Sequence, residues 1–367
     1  MMKTLFKMFQ SMGKSQKRLL KIIGVFFLVC IIIVLVLGVM NNRTHSYESM
    51  ESKLLAAGKK YYNDNKDTLP MQEGGKVSIH AEKLIELEYM KEFTKYNKNA
   101  ESCSGVVTVM NNAGQYLYIP SLKCEDYKTQ TLYDKILEDQ VVTEGDGIYQ
   151  MYGDSIFRGE YPNNYVRFAN QMWRIMRLTN EKEIRLVQVK TKLNGTWDNR
   201  YNIQTNKNSG ITDYEISRLS AQLQKLYEES FSENDKSYII SKNLCIGTRK
   251  EKETRNDGSV ECSTLTKKKY PVGTVQVNEY MIPSLDSNCK FQTDSSCTNY
   301  NYMTKFDKAF WSITTSNLNS YQAYFIDYIV ERTDASRTKY YQMVIHVNGE
   351  IPFKGGKGTE EEPYEIY

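Results

Sequence analysis

Residues 22–40 read IIGVFFLVCIIIVLVLGVM, nineteen residues without a charge. At a rise of ~1.5 Å per residue, a helix of this length matches the ~30 Å hydrocarbon core of a bilayer. Lys3, Lys7, Lys14, Lys17, Arg18 and Lys21 precede or border the run, and no Asp or Glu occurs in the first forty residues. Basic flanks stay on the cytoplasmic side, which places residues 1–21 inside as a basic tail, 22–40 as a single transmembrane helix and residues 41–367 outside. A cleaved signal peptide has a shorter apolar region of ~7–15 residues and a small-residue A-x-A site, and neither is present here. The expected location is therefore the cell membrane, single-pass, with an extracellular ectodomain.

The whole chain carries a formal charge of +4, and six of its cations lie in the first forty residues, so the remainder is close to −2. Its charges are mixed, with no long basic tract, which excludes nucleic acid as an expected partner. Seven cysteines occur, one of them, Cys30, inside the apolar run. The other six (Cys103, Cys124, Cys245, Cys262, Cys289 and Cys297) all follow it. An even number confined to an exported region reads as disulfides. Six cysteines allow 15 pairings; sequence order suggests the three local ones, 103–124, 245–262 and 289–297. Zinc is disfavoured, because no C-x-x-C pair exists and His45, His80 and His346 are far apart in sequence.

The pattern beyond the anchor is α+β. Residues 46–65 place Tyr47, Met50, Leu54, Ala57 and Tyr61 at helical spacing, and Pro70 ends the pattern. A short strand at 76–79, a helix at 81–91 and a hairpin (105–110, turn 111–114, 115–119) follow, with Cys103 and Cys124 beside each other at the hairpin base. Residues 126–146 read as a linker, with a short helix over 127–137. A larger, mostly antiparallel domain with a helix and long loops occupies 147–367. Its strongest signals are the hairpin 165–168/171–176 and a third strand at 183–189, with Trp173, Ile175 and Ile184 as core candidates. A helix is expected over 213–231, capped by Thr212 and Glu215, and strands over 272–277, 309–314, 323–330 and 341–347.

Two resemblances follow from these pieces. Lys59-Lys60-Tyr61-Tyr62, Leu69-Pro70, Leu84-Ile85, Cys103-Ser104-Gly105-Val106-Val107 and the run from Tyr118 to Cys124 resemble the pilin-like module of surface proteins in low-GC Gram-positive bacteria. That module implies, over 41–125, a membrane-emergent helix packed on a small sheet. The prepilin glutamate is missing after Gly24, so the resemblance implies a permanent anchor rather than a processed fibre subunit. Phe157-Arg-Gly-Glu160, residues 163–168, Met172-Trp-Arg-Ile175, Trp197-Asp198, Phe310-Trp311-Ser312 and Gly355 to Thr359 resemble a distant C-type-lectin-like module over 147–367, which implies ligand-binding loops displayed on a sheet.

No nucleophile–base set, G-x-S-x-G or H-E-x-x-H motif is present. Trp311 reads as core and His346 as a structural strand residue. Asp286, Asn288, Asp294, Asn299 and Asn301 cluster in residues 284–301, where carboxylate and amide oxygens could converge on calcium; the same residue types are ordinary loop formers, and no cofactor or metal is expected. The expected function is a non-enzymatic surface binding or adhesion protein, or a structural protein of the envelope. Its partners are the membrane and an extracellular glycan or protein ligand, contacted through Tyr300, Tyr302 and Tyr321 in the segment 284–325. The alternative is a wall-polymer hydrolase or transferase using Asp154, Glu160 and Asp198.

Overall fold

The computed structural model describes residues 13–366. Of the basic tail expected over 1–21, residues 1–12 lie outside the described residues. The molecule is α+β: a long N-terminal helix, a three-stranded antiparallel sheet and a larger mixed-β region.

Helix α1 spans Lys14–Asp64, 51 residues. Its segment Ile22–Val39 is long and apolar enough to cross a membrane, and none of it is buried. The same helix then becomes amphipathic. Tyr47, Met50, Leu54 and Ala57 are buried, as their spacing requires. Tyr61 is only half-buried, and Tyr62 takes the inward position beside it. This face packs on the sheet formed by β1 (Lys76–His80), β2 (Ser104–Asn112) and β3 (Gln115–Lys123), in that order. Ala113 and Gly114 join β2 to β3, both with positive φ (50° and 90°). That backbone matches the twist of a two-residue hairpin and favours glycine at the second position. The disulfide Cys103–Cys124 closes the open end of this hairpin. Helix α2, Ala81–Glu86, is shorter than the 81–91 expected, because Glu88 turns left-handed (φ 59°) just beyond Leu87.

The two faces of the sheet contribute to different hydrophobic clusters. Val107, Val109 and Leu122 face helix α1. Met110, Leu117 and Ile119 join the large core of the following region. The stretch 126–146, read as a linker, holds helix α3, Leu132–Gln140, which starts five residues later than expected because Thr131 caps it by accepting the Asp134 amide. Leu132 and Ile136 are fully buried in the large core. The Leu132 amide donates to Ile351 O and Tyr133 N to Gly349 O, tying α3 to the C-terminal chain.

The larger region contains two sheets. The seven-stranded sheet has the order β15-β8-β7-β5-β4, with β6 on β7 and β16 on β6. Its strands are β4 Gly147–Met151, β5 Asp154–Arg158, β6 Tyr165–Phe168, β7 Gln171–Leu178, β8 Glu183–Gln188, β15 Val344–Asn348 and β16 Tyr364–Glu365. The six-stranded sheet comprises β9 Asn194–Thr196, β10 Thr248–Arg249, β11 Phe310–Ser316, β12 Gln322–Asp327, β13 Ile329–Asp334 and β14 Thr338–Tyr340. Trp173, Ile175, Ile184 and Trp311 are all in the core, as expected.

Four boundaries differ from the sequence reading. The helix expected over 213–231 is divided. Asp213 caps a 3-10 turn at Tyr214–Ile216, and Ser217, accepting the Ser220 amide, starts helix α4, Arg218–Ser230, which helix α5, Glu233–Tyr238, follows. Thr212 and Glu215 form no capping box there; the Glu215 carboxylate accepts the Lys267 amide instead. The run 323–330 contains a reversal at Tyr328 (φ 58°) between β12 and β13. The apolar run 272–277 forms no strand, since Gln276 opens helix α6, Val277–Met281. Residues 341–347 hold only the strand β15, and β14 ends before Tyr341.

Gly58 marks the closest approach of α1 to the sheet. A Cβ placed there would lie 2.8 Å from Cβ, Cγ1 and Cγ2 of Val107. In an exposed helix Gly→Ala gains about 0.8–1 kcal/mol. Here overpacking, which costs about 1–3 kcal/mol, outweighs that gain. Gly58→Ala is expected to lower the unfolding free energy in denaturant titration, and adding Val107→Ala should recover part of the loss; a stabilised Gly58→Ala would show that helix and sheet are not in tight contact.

Candidate functional site

The seven-stranded sheet carries a row of bases. Arg177 on β7 stands opposite Arg185 on β8, just past a bulge, and Arg185 stands opposite His346 on β15. Two like charges directly opposite on neighbouring strands repel. The counter-ion comes from far along the chain. Gln276 and Glu279 form a capping box at the start of helix α6, in which the Glu279 carboxylate accepts the Gln276 amide. The same carboxylate accepts from Arg177 Nη2 at 3.0 Å and from Arg185 Nε and Nη2 at 2.6 and 2.9 Å. Asp154, at the start of β5, takes the remaining terminal nitrogen, Arg177 Nη1, at 3.3 Å. Burial alone would raise the Glu279 carboxyl, but Arg185 and Arg177 outweigh it and hold it down at about 2.

His346 completes the row. An arginine nitrogen can only donate, so the 2.6 Å contact from Arg185 Nη1 makes His346 Nε2 an acceptor. Its Nδ1–H then donates to Glu183 Oε2 at 3.1 Å. This is the neutral tautomer, and burial accordingly pushes the imidazole below its ordinary value, against the opposing pull of Glu183. Glu183 also accepts from Lys242 at 2.9 Å. Every cation in the cluster thus already has a carboxylate partner.

A cavity of about 420 Å³ is lined by Arg177, Arg185 and His346 of this row and by Gly258 of the loop that the Cys245–Cys262 disulfide ties. Asn278, next to Glu279 on α6, borders it together with Gly258. A second buried ion pair, Arg249–Glu261 at 2.9 Å, anchors this loop from behind. Arg249 Nε also donates to Gln292 Oε1, and Gln292 Nε2 donates to the carbonyls of Lys250 and Glu251, which joins the loop to the one closed by Cys289–Cys297. All three local disulfides expected from sequence order are present.

The expected binding tyrosines do not form one surface. Tyr300 is exposed. Tyr302 is fully buried, so its assignment to a displayed face is corrected. Its amide bonds Gly159 O and its ring lies 4.6 Å from the Arg174 guanidinium, within the core. Tyr321 is half-buried at the entry to β12. The Asp and Asn side chains of 284–301 stabilise their own loop. Asp286 accepts from Asn288 and Asn299, Asp294 accepts the amides of Lys290 and Phe291, and buried Asn301 donates to the carbonyls of Tyr280 and Cys297. Among the described residues no group of three or more His, Cys, Asp or Glu is placed to hold a metal ion. Asp154, Glu160 and Asp198 are held by three different cations, Arg177, Lys305 and Arg200. The sequence reading missed Glu279 and Asn278 altogether; its available signal was the charged residues Arg177, Glu183 and Arg185 in otherwise apolar strands.

Comparison with known protein families, curated proteins and solved structures finds no match to this chain.

Two outcomes follow from the cluster. Glu279→Gln leaves buried Arg185, and half-buried Arg177 beside it, without their shared carboxylate, and breaking a buried pair from one side costs about 3–5 kcal/mol. Denaturant unfolding of that variant should show a loss of this size; a change below about 0.5 kcal/mol, the range of surface substitutions, would contradict the arrangement. The second outcome concerns pH. The folded pKa of His346 lies below its unfolded value of 6.5, so the unfolded chain takes up a proton that the folded one refuses. Stability is therefore full above pH 6.5 and falls as pH drops through and below that value. His346→Gln, which keeps an acceptor for Arg185, should flatten this part of the stability–pH curve; an unchanged slope would place the protonation elsewhere.

Proposed function

We propose that the chain is a single-pass membrane protein, N-terminus cytoplasmic, that displays a disulfide-bonded ectodomain outside the cell as a non-enzymatic binding protein. One observation carries this reading. The unburied apolar segment Ile22–Val39 runs without interruption into the part of helix α1 that packs on the first sheet, and all three disulfides lie beyond it. An apolar helix exposed on every side calls for lipid, and disulfides belong to an oxidising exterior. The basic residues Lys14, Lys17, Arg18 and Lys21 on the near side of the span favour a cytoplasmic N-terminus.

The helix-on-sheet arrangement of residues 47–124 supports the pilin-like reading of the first module. The two sheets and the disulfide-closed loops beyond it suit a ligand-binding module of lectin-like type. The ligand is an extracellular glycan, protein or small molecule, and recognition falls to loops held by a rigid scaffold. Binding is favoured over wall hydrolysis because Asp154, Glu160 and Asp198 are each already engaged by a separate cation, whereas glycosidic cleavage needs two carboxyl groups about 5–10 Å apart on one substrate.

Protease added to intact cells, or to protoplasts where a wall shields the surface, should degrade the region after residue 40 and leave a short membrane-bound fragment. N-terminal sequencing of the mature chain should find residues 22–40 retained. Full protection of the ectodomain in accessible cells would reverse the topology, and a mature N-terminus beyond residue 40 would replace the anchor with a cleaved signal.

A further inference from the structure

We propose that the outer edge of strand β1 is a docking site for an extended acidic peptide segment of a partner protein, which adds to the first sheet as a further antiparallel strand. The inference goes beyond the reading of the loops as a ligand-binding module, since it concerns the sheet under helix α1 and needs nothing from the larger region.

Strand β1 lies at the edge of the order β1-β2-β3, and among the described residues neither a strand nor an isolated bridge pairs with its outer side. The register shows which of its backbone groups face outward. The two-residue turn 113–114 makes Asn112 and Gln115 a hydrogen-bonded pair, and along an antiparallel ladder such pairs alternate. Val106, Thr108 and Met110 therefore direct their backbone groups to β3. Val107 and Val109 direct theirs to β1, where they meet Ile79 and Val77. The Asn111 amide, donating to Gly75 O, continues the same alternation. Lys76 and Ser78 consequently turn both N–H and C=O away from β2. His80 turns out its N–H, while its carbonyl serves the start of helix α2 as the N-cap. None of the outward groups bonds elsewhere among the described residues.

Lys76, Ser78 and His80 are exposed. A groove of about 350 Å³ is lined by β1 from Val77 to His80, by Tyr61 and Tyr62 of helix α1, and by Lys83 of α2. An open edge with a groove beside it is a template for strand addition, in which main-chain bonds give affinity and alternate side chains give specificity. The alternation of β1 sets the chemistry of the occupant. Val77 and Ile79 point toward helix α1, so the residues paired with them should be apolar. Lys76 and His80 lie on the other face, so acidic residues suit the positions opposite them. The side chains lining the groove include Lys83 and no carboxylate. Lys76 and Lys83 are held only by the exposed carboxylates of Glu350 and Glu86, pairs of the kind that contribute little and exchange partners readily. The matching pattern is acidic, apolar, polar, apolar, acidic. A second copy of β1 fits badly, because antiparallel pairing centred on Ser78 sets Lys76 against His80.

The test uses the full chain in nanodiscs and an end-capped peptide, Gly-Glu-Val-Thr-Val-Glu-Gly, titrated by fluorescence anisotropy. One control peptide carries lysine in place of both glutamates. Another is N-methylated at the central threonine, which removes the donor aimed at Ser78 O. The glutamate peptide should bind saturably at millimolar concentration or tighter, and each control at least about tenfold more weakly, the equivalent of one lost hydrogen bond. Residue-resolved amide exchange should slow at Lys76, Ser78 and His80 on binding, and stay as it was at Val77 and Ile79, whose amides already bond β2. Ser78→Pro removes only an outward N–H, which an edge strand tolerates, so the melting temperature should hold while affinity falls at least about tenfold. Should that variant melt early, Lys76→Glu with Lys83→Glu replaces it and should reverse the preference toward the lysine peptide. Absence of binding by the glutamate peptide, equal affinity for either control, slowed exchange outside β1 alone, unchanged affinity in a folded Ser78→Pro, or an unreversed preference in the double variant would each overturn the proposal. Dimers that protect the same three amides without peptide would assign the edge to a second copy and overturn it as well. None of these results alters protease accessibility of the ectodomain, so failure here and failure of the surface assignment are separately visible.

Discussion

The carboxylate of Glu279 is the interaction on which the rest of the larger mixed-β region depends. Arg177 and Arg185 stand opposite each other on β7 and β8 and share it, and buried Arg185 would otherwise lack a carboxylate partner. It is delivered by a five-residue helix whose own start it caps, so one side chain ends the chain segment before it, orients the helix and neutralises the sheet. The position of α6 then places Asn278 beside the cavity and its amide within reach of Glu261. From Glu261 the network continues through Arg249 and Gln292 into the third disulfide loop. The loops are thus held by buried charge pairs as well as by the disulfides.

A second constraint joins the helix-on-sheet part to this scaffold. The first sheet is covered by helix α1 on one face and by the large core on the other. Glu51 on α1 is buried, accepts from Tyr127 and Thr129, and pairs with Lys354 near the C-terminus at 3.4 Å. The first sheet thus contributes to two hydrophobic clusters, one shared with helix α1 and one with the larger region, and helix α3 occupies the stretch that composition alone marked as a linker.

What the sequence made legible was local. The apolar run, the amphipathic continuation through Tyr47, Met50 and Leu54, the hairpins turning at 113–114 and 169–170, and the three near-neighbour cysteine pairs all depend on spacings of a few residues to about twenty. What it hid was set by competition or by distance. Asp213 and Ser217 both satisfy capping chemistry, and only tertiary packing divides the helix between them. The reversal at Tyr328 needs a left-handed tyrosine, which no turn signal announces. Tyr302 looked like a display residue because polar loop formers surround it, yet its ring is packed against Arg174. The cavity was least legible of all, because Glu279 lies 102 residues from Arg177 and 94 from Arg185. Charged residues in apolar strands announce that a partner exists without saying where it is.

The measurement that tests this account most directly is a double-mutant cycle across the cluster, comparing Glu279→Leu alone, Arg177→Met with Arg185→Met, and all three changes together. If one carboxylate neutralises both cations, either partial removal is strongly destabilising. The full replacement by apolar residues should then recover most of the loss, giving a coupling on the order of 3 kcal/mol in unfolding free energy. Additive costs, with a coupling below about 0.5 kcal/mol, would contradict it and show that the three side chains do not share a buried site.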